Sequence, residues 1–173
     1  IKLYQIGSSD IAVKFEVVEK PNDWTKEIKR NTSNSPTLQA RYDYWVAFND
    51  YAFQNNAFAK QFNKRKASTD HWMTFSVGSS ACHISMSQIR KYNHALVEWY
   101  ISDDKELYHK FYSNKAAIEQ EMGVQLEWNE LPEKKASRIL VYKTVDFDNK
   151  DTWSEQFDWM MDMAIKMKKA FKK

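Results

Sequence analysis

From residue 72 to residue 101 the apolar side chains recur at every second position, and this period limits the fold more than any other feature. Met73, Phe75 and Val77 alternate with Trp72, Thr74 and Ser76; after Gly78-Ser79-Ser80, Cys82, Ile84 and Met86 alternate with Ala81, His83, Ser85 and Ser87. Successive side chains of a strand point to opposite faces, so each run has one apolar face and one small, polar face. The short link through Gly78 makes the pair an antiparallel hairpin. A third strand, Ala95 to Ile101, returns after the turn Arg90-Lys91-Tyr92-Asn93 and completes a meander. Such a sheet needs a cover on its apolar face only.

Helical patterns supply the cover. Ser35 before Pro36 is a helix start, a hydroxyl for the free N–H groups and then a residue whose φ is already helical. Leu38, Tyr42, Trp45, Asn49 and Ala52 share one face, with Arg41, Tyr44, Phe48 and Tyr51 beside it, a broad aromatic stripe that reads as core. Phe58 to Lys66 reads as short helix or irregular chain. Asp103 and Glu106 have capping-box spacing ahead of a helix through Leu107, Phe111, Ile118 and Met122, which Gly123 stops. Val124 to Asn129 predicts a fourth strand, Leu131 to Lys135 a connector, and Ser137 to Val145 a fifth strand. Asp151 or Thr152 opens a last helix whose Trp153, Phe157, Met160, Ala164, Met167 and Phe171 form a stripe.

The expected class is α+β: an antiparallel sheet, a three-strand meander plus a two-strand unit, covered on one face by helices in the order α-βββ-α-ββ-α. An N-terminal β-hairpin is expected ahead of it, around the turn Gly7-Ser8-Ser9-Asp10, followed by the polar linker Asn31 to Ser35. Residues 1–34 therefore read as hairpin and linker, and residues 35–173 as a single domain. Because the chain opens on Ile1 inside a strand-like stretch, the expectation is a fragment of a longer protein.

Composition narrows the function classes. Hydrophobic residues at 43% and charged residues at 28% allow a core and exclude wholesale disorder. One cysteine, Cys82, excludes a disulfide framework and a multi-cysteine zinc site. With no run of eighteen apolar residues and no signal-peptide pattern, a soluble cytoplasmic protein without a membrane partner is expected. His71, His83, His94 and His109 lack close ligand spacing, and no P-loop, dinucleotide motif or nucleophile elbow occurs. No catalytic residue, metal or cofactor is therefore nominated. The string Asp23, Glu27, Lys29 has the residue types of a Mg²⁺-dependent nuclease but neither its spacing nor an evident strand, and reads as solvated connector. His83 with Thr74, Ser76, Ser85 and Ser87 lines the polar sheet face; with His71 and Glu98 or Arg138 nearby this is a candidate site, its other reading an ordinary exposed face.

His71-Trp72-Met73-Thr74-Phe75-Ser76-Val77-Gly78, His83-Ile84-Ser85 and Val97-Glu98-Trp99-Tyr100-Ile101 resemble the central meander of the prokaryotic domain of unknown function 4268. Leu126-Glu127-Trp128 and Lys134-Lys135-Ala136-Ser137-Arg138-Ile139 resemble its second half, so the likeness runs over about residues 36 to 171. The family name contains no activity. Leu3 to Gly7 and Lys20 to Trp24 are similar to what precedes the domain in longer members, the end of a nuclease-like domain of the PD-(D/E)xK type. The resemblance thus implies a nuclease-like N-terminal partner domain on the same polypeptide.

Charge gives the strongest functional lead. The net formal charge is only +3, but residues 56–91 carry six Lys or Arg against one Asp, and residues 92–131 carry eight acids against three lysines. Residues 132–145 return to positive through Lys134, Lys135, Arg138 and Lys143 against Glu133. Such blocks can build a basic surface on a nearly neutral protein. The expected function is therefore a non-catalytic accessory domain touching DNA or RNA phosphates through Lys64, Arg65, Lys66, Lys134, Lys135 and Arg138. The alternative is an interaction module that forms a homodimer and binds no nucleic acid.

Overall fold

The computed structural model describes residues 35–171 and, for the backbone, two short strands, β1 (Lys2–Tyr4) and β2 (Ala12–Lys14), which pair antiparallel as a sheet of their own. The turn at Gly7 to Asp10, the linker at Asn31 to Asn34, the Asp23–Glu27–Lys29 string, and Lys172 and Lys173 lie outside the described residues.

In α1 (Pro36–Ala52) the Ser35 hydroxyl accepts from the Leu38 N–H at 3.4 Å, so the polar start expected from Ser35-Pro36 is realised. The short α2 (Asn56–Ala59) follows, capped by the Asn55 side chain. Strands β3 (Trp72–Ser76), β4 (Cys82–Ile89) and β5 (His94–Ile101) form the meander. Asn93, with φ 53°, makes the left-handed step between the last two. Then come α3 (Lys105–Ser113), α4 (Lys115–Met122), β6 (Glu127–Asn129), β7 (Ser137–Thr144) and α5 (Trp153–Ala170). The strand order β3-β4-β5-β7-β6 is antiparallel throughout, so β7 joins the two-strand unit to the meander and β6 is an edge. The α+β class and the helix-covered antiparallel sheet are as the periods implied.

Local chemistry moves three boundaries. The helix expected to run unbroken to Gly123 is two helices, because at its middle Asn114 Nδ2 donates to the Lys110 carbonyl at 2.9 Å and Ser113 Oγ to the same carbonyl at 2.8 Å. Such side-chain bonds compete with the helical ladder. The cap of α3 is Asp104, which accepts from the Leu107 N–H at 2.8 Å, and not Asp103. The fourth strand is half its expected length, because the Leu126 N–H donates to Glu119 Oε1 at 2.9 Å instead of to a neighbouring strand. The last helix starts at Trp153 with Thr152 as its N-cap residue, one of the two expected openings, after a 3₁₀ turn over residues 150–152 capped by Asn149.

All the described helices that meet the sheet do so on one face. Phe75 meets Phe48 and Phe58, Trp99 stacks on Phe171 at 5.0 Å, and α5 packs over β4 and β5. Tyr44 is fully buried at the centre of edge-on contacts with Trp45, Phe147, Trp153 and Phe157, at 5.0–5.4 Å. Its hydroxyl donates to Gln156 Oε1 at 3.2 Å, and burial pushes its pKa far above the ordinary tyrosine value. Each such ring pair adds about 0.5–1.5 kcal/mol beyond the area it buries. The aromatic stripe of α1 is therefore core, and Cys82 is buried as well, grouped with Trp99, Phe111 and Phe171. None of the described helices is long and apolar enough to cross a membrane.

Candidate functional site

The register fixes what the other sheet face displays. Trp72 is level with Ser87, and Ser87 with Leu96; two residues along, Thr74, Ser85, Glu98 and Leu140 form the next row; then come Ser76, His83, Tyr100 and Arg138. Small side chains at the centre of the face and large ones around them leave a concavity of roughly 400 Å³. Ser85, Ser87 and Glu98 make its floor, each more than nine-tenths buried. Trp72, itself 44% exposed, stands on one side with His71 edge-on to it at 4.5 Å. His83 and Tyr100, stacked at 4.9 Å, stand on the other, and Arg138 closes the flank. Next to this site His94 and Tyr142 form a second stacked pair at 4.2 Å.

The polar floor is only partly used by the protein itself. Arg138 Nε donates to Glu98 Oε2, a buried carboxylate against a guanidinium whose side chain is 38% exposed. Among the described residues, Glu98 Oε1, the two terminal guanidinium nitrogens and the hydroxyls of Thr74, Ser85 and Ser87 have no protein hydrogen-bond partner. The hydrogen bond from Arg138 to Glu98 raises the guanidinium pKa further.

His71 is held by β4, where the Gln88 N–H donates to its carbonyl at 2.8 Å. The Gln88 side chain bonds the Arg41 carbonyl, which anchors α1 beside it. Burial, then the Arg41 cation, lowers the His71 pKa; burial lowers that of His83 against an opposing pull from Glu98. Both imidazoles are therefore neutral at pH 7. Their folded pKa values lie below the unfolded one near 6.5, so unfolding takes up protons, and stability is full above that value and falls as pH drops through it. Thermal melts at pH 7.5 and 5.5 should show a smaller loss for the double variant H71Q/H83Q than for the parent chain.

The sequence-derived site residues divide into two sets. His71, His83, Glu98 and Arg138, with Thr74, Ser85 and Ser87, surround one concavity. The other basic candidates lie elsewhere. Lys64 pairs with Asp50 at 3.4 Å beside the end of α1, where the Arg65 carbonyl accepts from Asn49 and Lys66 follows, ahead of the edge strand β3. Lys135 pairs with Asp103 at 3.0 Å in the β6–β7 connector, next to the exposed Lys134, towards the opposite edge. Among the described residues no ion pair or hydrogen bond joins the two groups, and no cluster of three His, Cys, Asp or Glu is arranged to hold a metal. Trp72 and Tyr100 were missed as site residues, although their parity with Thr74 and Glu98 is the signal that assigns them to this face.

No curated protein matches the chain, and no solved structure does either. One family model matches residues 40–173, from within α1 through to the end of the chain, and thus takes in every strand and helix that builds the concavity. The chain belongs to the family described as domain of unknown function DUF4268.

Proposed function

We propose that this domain is a non-catalytic accessory module that holds nucleic acid for a nuclease-like domain of the same polypeptide in the cytoplasm. The observation that carries the reading is the sheet face free of described helices, with Trp72 and the stacked His83–Tyr100 pair around a buried carboxylate held by Arg138, and the stacked His94–Tyr142 pair next to them. Open antiparallel sheets recognise nucleic acid by stacking bases on rings placed in this way, at about 1–3 kcal/mol per base. Phosphates are met by Lys134, Lys135 and Arg138 on one side and by Lys64, Arg65 and Lys66 on the other. The Lys64–Asp50 and Lys135–Asp103 pairs are exposed, and such pairs are worth about 0–1 kcal/mol, so both ammonium groups exchange their carboxylate for a phosphate at little cost.

The binding is expected to be salt-dependent. For four phosphate contacts on a single strand, affinity falls about 50-fold between 50 and 200 mM salt. Fluorescence anisotropy with a labelled oligonucleotide measures this, and Lys134→Glu and Arg65→Glu should each weaken binding and flatten the salt slope. The exposure of Trp72 and Tyr142 on the same face favours a second reading, a dimerisation surface. A dilution-resistant dimer in sedimentation, with no nucleic-acid binding at low salt, would establish that reading in place of the first.

A further inference from the structure

We infer that the concavity over Glu98 receives one unpaired nucleobase, so that the domain prefers a single strand to a duplex. This rests on the reading of the sheet face as a nucleic-acid surface and specifies what that surface takes. Three observations point to it. The first is spacing: the Trp72 row and the His83–Tyr100 row are four residues apart along β4, about 13 Å at the rise of a strand. That gap leaves room for one planar ring between the Trp72 and His83–Tyr100 sides of the cavity. A base pair still stacked in a duplex cannot enter a pocket closed by rings on two sides.

The second is unused hydrogen-bonding capacity. Ser85, Ser87 and Glu98 are more than nine-tenths buried, yet both hydroxyls and Glu98 Oε1 have no protein partner among the described residues. These oxygens open into the cavity, where a ligand with matching donors and acceptors can take the place of the water that meets them. The third is the pattern of that demand. The Glu98–Arg138 pair sets an acceptor, Oε1, beside donors, the free guanidinium N–H groups. Each nucleobase carries a ring donor or amine next to a carbonyl or ring nitrogen, the complementary arrangement. Because all the bases share it, recognition is tolerant of sequence, and discrimination falls on whether the base is paired.

The test uses the full chain with a labelled mixed-sequence oligonucleotide, presented alone and annealed to its complement, at one fixed low salt concentration. The expected result is tighter binding of the single strand. Trp72→Ala, which removes an exposed wall, and Ser85→Val, which fills the floor with a strand-compatible side chain, should each weaken single-strand binding about tenfold or more. Tyr112→Ala, at an exposed ring on α3, should leave binding unchanged. Equal affinity for duplex and single strand, or indifference to both Trp72→Ala and Ser85→Val while Lys134→Glu still weakens binding, overturns the base pocket and leaves the nucleic-acid reading standing. No binding of either form overturns both.

Discussion

Replacing Arg138 by methionine should destabilise the domain by about 3 kcal/mol, whereas Glu98→Gln should cost only about 1 kcal/mol, although both variants break the same ion pair. The asymmetry follows from exposure. The Glu98 side chain is 5% exposed and that of Arg138 38%, so losing the guanidinium strands a carboxylate inside the sheet face. Losing the carboxylate's charge leaves a guanidinium that turns to water and still finds an amide oxygen as acceptor. Urea unfolding monitored by tryptophan fluorescence reads the difference directly. Equal effects of the two variants would contradict the burial on which the floor of the concavity depends.

Lys105→Met should have a comparable effect through a different mechanism. The Lys105 ammonium, at the first turn of α3, shares its three N–H groups among four oxygens, the carbonyls of Glu130, Leu131 and Ala136 and Ser137 Oγ, the last three at 3.0–3.1 Å. These groups span the connector between β6 and β7, where Leu131 holds a φ of 53° that side-chain-bearing residues seldom adopt. A cation facing several carbonyls makes charge-assisted hydrogen bonds of about 1.5–3 kcal/mol each to acceptors that methionine leaves bare. With some water replacing it, a net loss of about 3 kcal/mol follows, a melting shift on the order of 6–12 °C for a domain of this size. Because the same connector carries Lys134 and Lys135, K105M should also weaken oligonucleotide binding. A variant that melts like the parent chain would mean that the connector is ordered without this ammonium.

The sheet was legible because strand period and burial act on the same residues: Met73, Phe75, Ile84, Met86, Val97 and Trp99 alternate in sequence and are buried under helices in the structure. What alternation does not encode is competition by single side chains. The apolar stripe from Leu107 to Met122 continues across Asn114, so nothing in its period announces the break that the Ser113 and Asn114 bonds make. Val124, Leu126 and Trp128 alternate as a strand should, yet Glu119 takes the Leu126 N–H and the Trp128 indole N–H and shortens it. The site was half legible for a related reason. Parity gave the polar residues of one face, but the contact between Arg138 and Glu98 depends on which strand lies next to β5, and neither strand length nor connector length fixes that. Trp72 alternates with the apolar set beside Thr74 and Ser76, and Tyr100 shares the parity of Glu98, but parity assigns a ring to a face without saying that it walls a cavity there.

The central claim, that nucleic acid lies on the sheet face over Glu98 that is free of described helices, is tested most directly by titrating the ¹⁵N-labelled chain with a short single strand and mapping the chemical-shift changes. The account predicts that the Trp72 indole N–H and the amides of His83, Ser85, Ser87, Glu98, Tyr100 and Arg138 move first and furthest. Changes confined to the opposite layer, around Lys110, Ala117 and Glu121 on α3 and α4, or no change at low salt, would contradict it.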